Sequence, residues 1–393
     1  MKILPISVFT GTLLYCAYGQ AQNWQNECVG YYQLQLPDNL EVALYPVRDF
    51  THPRPQPESD GDIQVRRYAT PGITFDQTYY PDKKGAYQAH FSAFYYGGYE
   101  LDISTQSQQP VDFPAYKQAV TKDLNFEINR ARQYEKRSVT LFKNPPIPEA
   151  EFSRRYHYLF RDYPRAFVAY KSLTYVIYLT DDQRLYHFWH RYEKEANDPS
   201  QNAETQLQKS EPQVLSLLSR FRPRKLYELP AGPGFCLPYG FIASDSGHEP
   251  HHMAVTYRLK DHPGVTIMFQ DLGMKSRQFD NDNLNEKDYI DWLWNVRYMP
   301  AADDLKPLGM KWRTINMDGR KGTGSFVKAF YQYSGTYYGY VAYVQGDRSA
   351  RNITPDLLLS VQQNHDGISP DSLMSKDELE KMAKHIVSSV RKR

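Results

Sequence analysis

The chain has 393 residues, more than one hydrophobic core usually supports, so two domains are expected. Its 47 Lys+Arg against 45 Asp+Glu leave a formal charge of +2, which excludes a global field able to hold nucleic acid or an anionic membrane. Tyrosine occurs 33 times and aromatic residues make up 15% of the chain, a composition suited to half-buried strands.

The N-terminus reads as an export signal. Lys2 supplies the charged start, Ile3 to Leu14 the short apolar stretch, and Ala17-Tyr18-Gly19 or Gly19-Gln20-Ala21 a small-x-small cleavage site. Residues 1–21 are therefore expected to be removed. The apolar stretch falls short of the ~20 residues that cross a bilayer, and no later stretch comes close, so stable membrane insertion is not expected. Tyr15 is too bulky for the position before a lipidated cysteine, which argues against lipidation of Cys16. Loss of Cys16 leaves Cys28 and Cys236, an even pair in a chain bound for an oxidising compartment. A disulfide between them would close a long loop, to which the chain-entropy model assigns roughly 4 to 5 kcal/mol. Two buried free thiols are the alternative.

In chain order, Gly30 to Leu36 alternates as a strand stopped by Pro37, and Glu41 to Leu44 continues it. A Pro-, Asp- and Gly-rich loop covers Thr51 to Asp62. Ala89 to Tyr96 and Glu100 to Ser104 then form a hairpin turning at Gly97-Gly98. Asp112 caps a helix with Pro114 in its first turn and Val120, Leu124, Ile128, Ala131 and Tyr134 at helical spacing. Strands are expected near Phe152 to Phe160, Ala166 to Leu179 and Leu185 to Tyr192, with a turn at Thr180 to Arg184. A closing helix carries Val214, Leu215, Leu218 and Phe221 and ends at Arg222-Pro223-Arg224.

The second half repeats this order. Phe241 to Ala243, Ala254 to Leu259 and Val265 to Phe269 read as strands, and Tyr289, Ile290, Leu293, Trp294 and Arg297 mark a central helix. Met310 to Met317, Ser325 to Tyr333 and Tyr337 to Val344 follow as strands, the last two joined at Ser334-Gly335-Thr336. A terminal helix has a capping box, Ser375 with Glu378, and a stripe of Leu379, Met382, Ile386 and Val390 before the basic end Arg391-Lys392-Arg393. The fold class is therefore α+β: two similar lobes, residues 22–224 and 234–393, each an antiparallel sheet packed with helices. Pro and Gly cluster at the boundary, Arg224 to Gly234.

Motifs for catalysis fail in their context. His248-Glu249-Pro250-His251-His252 matches H-E-x-x-H, a zinc pattern that needs both histidines four apart on one helical face. Pro250 between them, and the turn sequence Ser244-Asp245-Ser246-Gly247 before them, make this a hairpin loop. Phe279 to Asn283 is an acidic loop, because Leu284 and Asn285 stand where a calcium loop needs an oxygen ligand and a glycine. Gly319 to Ser325 resembles a phosphate cradle in composition only, and Asp318-Gly319 is a turn between strands. No G-x-S-x-G elbow occurs. His187 and His190 point to opposite faces of a strand and make a poor ligand pair. No catalytic residue, metal ligand or cofactor follows from the sequence.

Cys28-Val29-Gly30 with a strand ending Leu36-Pro37, and Gly234-Phe235-Cys236-Leu237-Pro238-Tyr239-Gly240-Phe241-Ile242, resemble the N- and C-terminal domains of type VI secretion immunity proteins. These neutralise the fourth class of Tle lipase effectors. The family pattern carries a basic residue where Tyr31 stands, which leaves the particular effector open. The resemblance implies a periplasmic protein, not an enzyme, whose partner is a cognate secreted lipase that it inhibits by obstructing the catalytic entrance. Tyr95, Tyr96 and Tyr99 in the first half, with Tyr337 and Tyr338 in the second, are the contact points expected at hairpin tips, packing into the sheets being the alternative. A periplasmic zinc hydrolase resting on His248 and His252, or a lipid- or glycan-binding envelope protein using the same aromatic surfaces, are the competing readings.

Overall fold

A computed structural model of the chain describes residues 23–44, 93–181, 183–191, 200–274, 284–299, 302–333, 335–364 and 368–393. The export signal, Cys16, the loop at Thr51 to Asp62 and the acidic run at Phe279 to Asn283 lie outside these residues. The first half comprises β1 (Trp24–Val29), β2 (Tyr32–Pro37), β3 (Leu40–Val42), β4 (Ala93–Tyr96), β5 (Tyr99–Ile103), α1 (Phe113–Phe142), α2 (Glu149–Tyr156), β6 (Leu159–Tyr163), β7 (Ala166–Tyr170), β8 (Thr174–Thr180), β9 (Leu185–Arg191), α3 (Ala203–Arg220) and β10 (Phe221–Pro223). The second comprises β11 (Gly234–Leu237), β12 (Gly240–Ala243), β13 (His251–Leu259), β14 (Val265–Leu272), α4 (Glu286–Trp292), β15 (Asp304–Pro307), β16 (Arg313–Met317), β17 (Arg320–Tyr331), β18 (Gly335–Val344), β19 (Asp356–Gln363), α5 (Lys376–Ser389) and β20 (Arg391–Lys392).

The α+β expectation holds, and each half is a sheet between two helical layers. Along β7 and β8, Phe167, Ala169, Val176 and Tyr178 face Tyr116, Val120 and Leu124 of α1, while Val168, Tyr170, Tyr175 and Ile177 face the side covered by Val214 and Leu217 of α3. Along β18 and β19, Val341, Tyr343 and Leu358 face Ile290 and Trp294 near α4, while Tyr340, Ala342, Leu357 and Leu359 face Leu379, Met382 and Ile386 of α5. Strands covered on both faces read as nearly continuous apolar runs, which is why β7 and β8 look like one strand in the sequence. The capping signals hold locally: Asp112 Oδ1 accepts the Ala115 N–H at 3.0 Å, and Ser375 with Glu378 forms its capping box.

All strand pairs are antiparallel, and fourteen strands form one sheet in the order β15-β17-β18-β19-β14-β13-β4-β5-β9-β8-β7-β6, with β16 also on β17 and β3 also on β13. The halves therefore meet inside a single sheet, where His251 to Ala254 of β13 pair with Ala93 to Tyr96 of β4. Strand β3 continues along the same edge of β13 at Tyr257 to Leu259. Two small sheets, β1-β2-β20 and β10-β12-β11, are tied by the Gly30 to Cys236 bridge, so the first strands of the chain lie against its last.

Several elements depart from the sequence reading, which has no strand at β1, β11, β15 or β19 and carries its closing helix into β10. Phe152 to Phe160 is not one strand: Glu149–Tyr156 is α2 and only Leu159–Tyr163 is β6. Acidic Glu149 and Glu151 in its first turn and basic Arg154 and Arg155 in its last suit the helix dipole, and Pro148 starts it. Helix α1 also runs farther than its buried stripe, since Tyr116, Val120 and Leu124 are its only buried residues in 30.

Candidate functional site

Position 30 begins the junction between the halves. Gly30 has φ +60°, and a Cβ there would lie 2.2 Å from Asp271 Oδ2, so only glycine fits. That approach lets the Tyr31 N–H donate to Asp271 Oδ2 at 2.9 Å. The other Asp271 oxygen lies 2.7 Å from His251 Nε2, while His251 Nδ1 lies 2.8 Å from the Glu249 carbonyl oxygen. Both ring nitrogens thus face acceptors, an arrangement satisfied by the imidazolium. Burial opposes that charge, but the Asp271 carboxylate and the Glu249 carbonyl outweigh it and hold the His251 pKa above its ordinary value.

Tyr31 closes a second ring of contacts. Its hydroxyl donates to Asp245 Oδ1 at 2.6 Å, the Tyr96 hydroxyl donates to Asp245 Oδ2, and Arg220 lies 3.3 Å from the Tyr96 oxygen. Phe235 packs on both phenol rings, with centroids 4.9 Å from Tyr31 and 4.7 Å from Tyr96. Burial first, then Asp245, pushes both phenols well above the usual tyrosine range, so they remain neutral donors. Tyr31 therefore engages a carboxylate with its hydroxyl as well as with its backbone N–H.

Covalent and ionic links lie beside this cluster. Cys28 and Cys236 are joined by a disulfide with Cα atoms 5.8 Å apart. Arg224 and Glu27 pair at 2.5 Å out of solvent. Arg393 approaches the same place, its Nη1 lying 3.0 Å from Cys236 Sγ. The whole arrangement is a fastening. His251 and Asp271 are an imidazole and carboxylate pair, yet both are buried and fully engaged, so neither is presented to a substrate.

The H-E-x-x-H residues do not assemble. His248 to Pro250 occupy a loop, and His251 and His252 open β13, where successive side chains take opposite faces. Among the described residues no group of three or more His, Cys, Asp or Glu is placed to hold a metal ion. His187 and His190 take opposite faces of β9, the first against Tyr116 and Tyr178, the second against Tyr99 and Tyr175. Asp318 and Gly319, with φ +54° and +71°, form the turn between β16 and β17 rather than a phosphate loop.

Burial corrects two of the five expected contact tyrosines. Tyr96 and Tyr99 are core residues, because the β4 and β5 hairpin lies in the middle of the sheet between β13 and β9. Tyr96 bonds Asp245, and the Tyr99 and Tyr175 hydroxyls lie 2.8 Å apart. Tyr95 is half-buried with its ring stacked toward His252, and Tyr337 and Tyr338 are half-buried on opposite faces of β18. The most exposed aromatic on the β17 and β18 hairpin is Tyr333, 94% accessible, with Phe330 exposed beside it. A tip residue is accessible only where its hairpin is not flanked by other strands, which hairpin spacing alone does not reveal.

The junction is thus a buried fastening between the two halves. Residues 228–393 match the family model of the Tle cognate immunity protein 4 C-terminal domain. The resemblance carried by Gly234 to Ile242 is thus borne out over the second half of the chain, while that carried by Cys28 to Gly30 lies outside the matched residues. The fold is similar to the apo structure of the immunity protein TplEi of the type VI system of Pseudomonas aeruginosa, at 14% identity and TM-score 0.51, over 94% of this chain and 97% of that one. The same protein complexed with an "L" peptide gives 15% identity and TM-score 0.51 over 94% and 98%. A crystal structure of a Tle4-Tli4 complex gives 14% and 0.51 over 94% and 97%. No curated protein sequence matches. Among the described residues no helix is long and apolar enough to cross a membrane.

Proposed function

We propose that this chain is a periplasmic immunity protein that binds a cognate type VI secretion phospholipase and inhibits it by covering its active-site entrance, with no catalysis of its own. Residues 1–21 serve as the export signal, and 22–224 and 234–393 are the N- and C-terminal immunity domains. The observation that carries this reading is the family match over 228–393. The fold shared along 94% of the chain with an immunity protein from a Tle4-Tli4 complex, and a disulfide suited to an oxidising compartment, support it. A rigid, fastened scaffold keeps a binding surface preorganised, which lowers the entropic cost of association.

The test is inhibition and rescue together. The purified mature chain is mixed with any phospholipase found encoded beside its gene, and phospholipid hydrolysis is followed while cells carrying that lipase directed to the periplasm are scored for survival with and without the chain. Stoichiometric inhibition and restored growth are expected. Undiminished hydrolysis at excess chain, with no rescue, overturns the proposal.

A further inference from the structure

Helix α1 extends past the body it packs on. Beyond Leu124, its last buried residue, residues 125–142 run about 27 Å at 1.5 Å per residue. This arm is braced on one side. Arg132 makes two hydrogen bonds to Glu149 of α2, at 2.7 and 2.5 Å, and its guanidinium lies 3.8 Å from the Phe152 ring centroid. Glu135 accepts the Ile147 N–H at 2.9 Å, and Lys171 pairs with Glu127 at 2.5 Å.

The opposite side is bare and has a pattern. Phe126, Arg130, Tyr134, Arg137 and Leu141 fall within about 80° of arc at 3.6 residues per turn, so they form one stripe. Phe126, Tyr134 and Leu141 are 51%, 72% and 64% exposed. Arg130 and Arg137 are exposed and make no ion pair among the described residues. The stripe is therefore apolar with positive charge only; Glu127 at its edge is paired with Lys171, and Glu135 is engaged on the braced side.

We infer that this stripe is the docking element of the arm, inserted as a helix into an apolar groove on the lipase effector whose rim carries two carboxylates about 10 Å apart, the rise between Arg130 and Arg137. The inference rests on the proposed immunity function. Tyr and Arg are the side chains that dominate protein interfaces, and guanidinium forks match carboxylates bidentately. A helix lying on a lipid surface instead segregates its cations away from the apolar face. Here each arginine is interleaved between apolar residues, which suits a groove with acids at intervals along it.

Calorimetry of the full chain with the purified phospholipase that it inhibits in the assay above tests this. The Arg130→Glu/Arg137→Glu pair is expected to weaken binding by roughly 100-fold and Tyr134→Ala by roughly 30-fold. Lys122→Glu/Lys136→Glu, the same charge change off the stripe, is expected to move affinity by less than about 3-fold. All sites are exposed, so melting temperatures should stay together. Wild-type binding that both stripe variants retain overturns the docking inference and leaves the immunity function standing. Failure of the wild type to bind the lipase overturns both. If the stripe variants lose affinity only for vesicles of phosphatidylethanolamine and phosphatidylglycerol, the arm meets lipid and the inference is wrong.

Discussion

Arg224 and Glu27 meet at 2.5 Å with side chains 2% and 0% exposed. The Arg224 guanidinium also donates to the Cys28 and Leu237 carbonyl oxygens, at 2.9 and 3.1 Å, and so holds strands from both halves. Removing one partner leaves a buried charge without its counterion. Glu27→Leu or Arg224→Met alone is expected to lower the unfolding free energy by about 3–5 kcal/mol, and the double replacement Glu27→Leu/Arg224→Met by less than the sum. Urea denaturation measures this, and strictly additive losses would contradict the coupling.

The disulfide spans 208 positions of sequence, so its loss frees a long stretch of the unfolded chain. Cys28→Ser/Cys236→Ser should cost roughly 2–5 kcal/mol. Thermal melts with and without reductant should show the same destabilisation in the wild type and none in the double variant. A wild-type melt indifferent to reductant would count against the link.

Two glycines with positive φ should respond differently to alanine. At Gly30 a Cβ meets Asp271 at 2.2 Å, whereas at Gly319 nothing lies within 4 Å. Gly319→Ala carries only the backbone cost, about 1 kcal/mol. Gly30→Ala also disturbs the carboxylate that holds Tyr31 and His251, and a loss of about 2–4 kcal/mol is expected. Equal shifts in denaturation midpoint would show that the contact does not matter.

Acid should weaken the fold through His252. Burial, reinforced by the charge of His251, lowers its pKa to about 4, below the ordinary 6.5 of the unfolded chain. The unfolded state takes up the proton first, so this contribution is present above pH 6.5 and is lost as pH falls toward about 4. His251 acts in the other direction. Its raised pKa contributes fully below 6.5, and that contribution is lost as pH rises through the folded value. His252→Gln should flatten the acid limb of stability against pH. A variant profile that overlays the wild type between pH 6.5 and 4 would refute the assignment.

Local signals were legible wherever the chemistry is local. The Asp112 cap, the Ser375 and Glu378 box, and the Gly97-Gly98 turn depend on neighbours a few residues away, and each stands where the sequence puts it. Helix α2 was missed because Tyr156, Tyr158 and Phe160 alternate like a strand, although Pro148 and the charges flanking Phe152 signal a helix. The junction was illegible except for its cysteines. Tyr31 meets Asp245 across 214 positions and Asp271 across 240, and no periodicity reports such a meeting. Tyr96 and Tyr99 were misplaced for the same reason, since other strands cover their hairpin.

Strand β13 takes β3 and β4 side by side along one edge, both supplied by the first half of the chain. Residues 234–393 made alone would leave that edge bare over nine residues, a template for pairing with any passing strand. Proteolytic trimming or split expression would therefore yield sticky fragments rather than two working miniatures, and the fold would have to be inherited as one uninterrupted polypeptide.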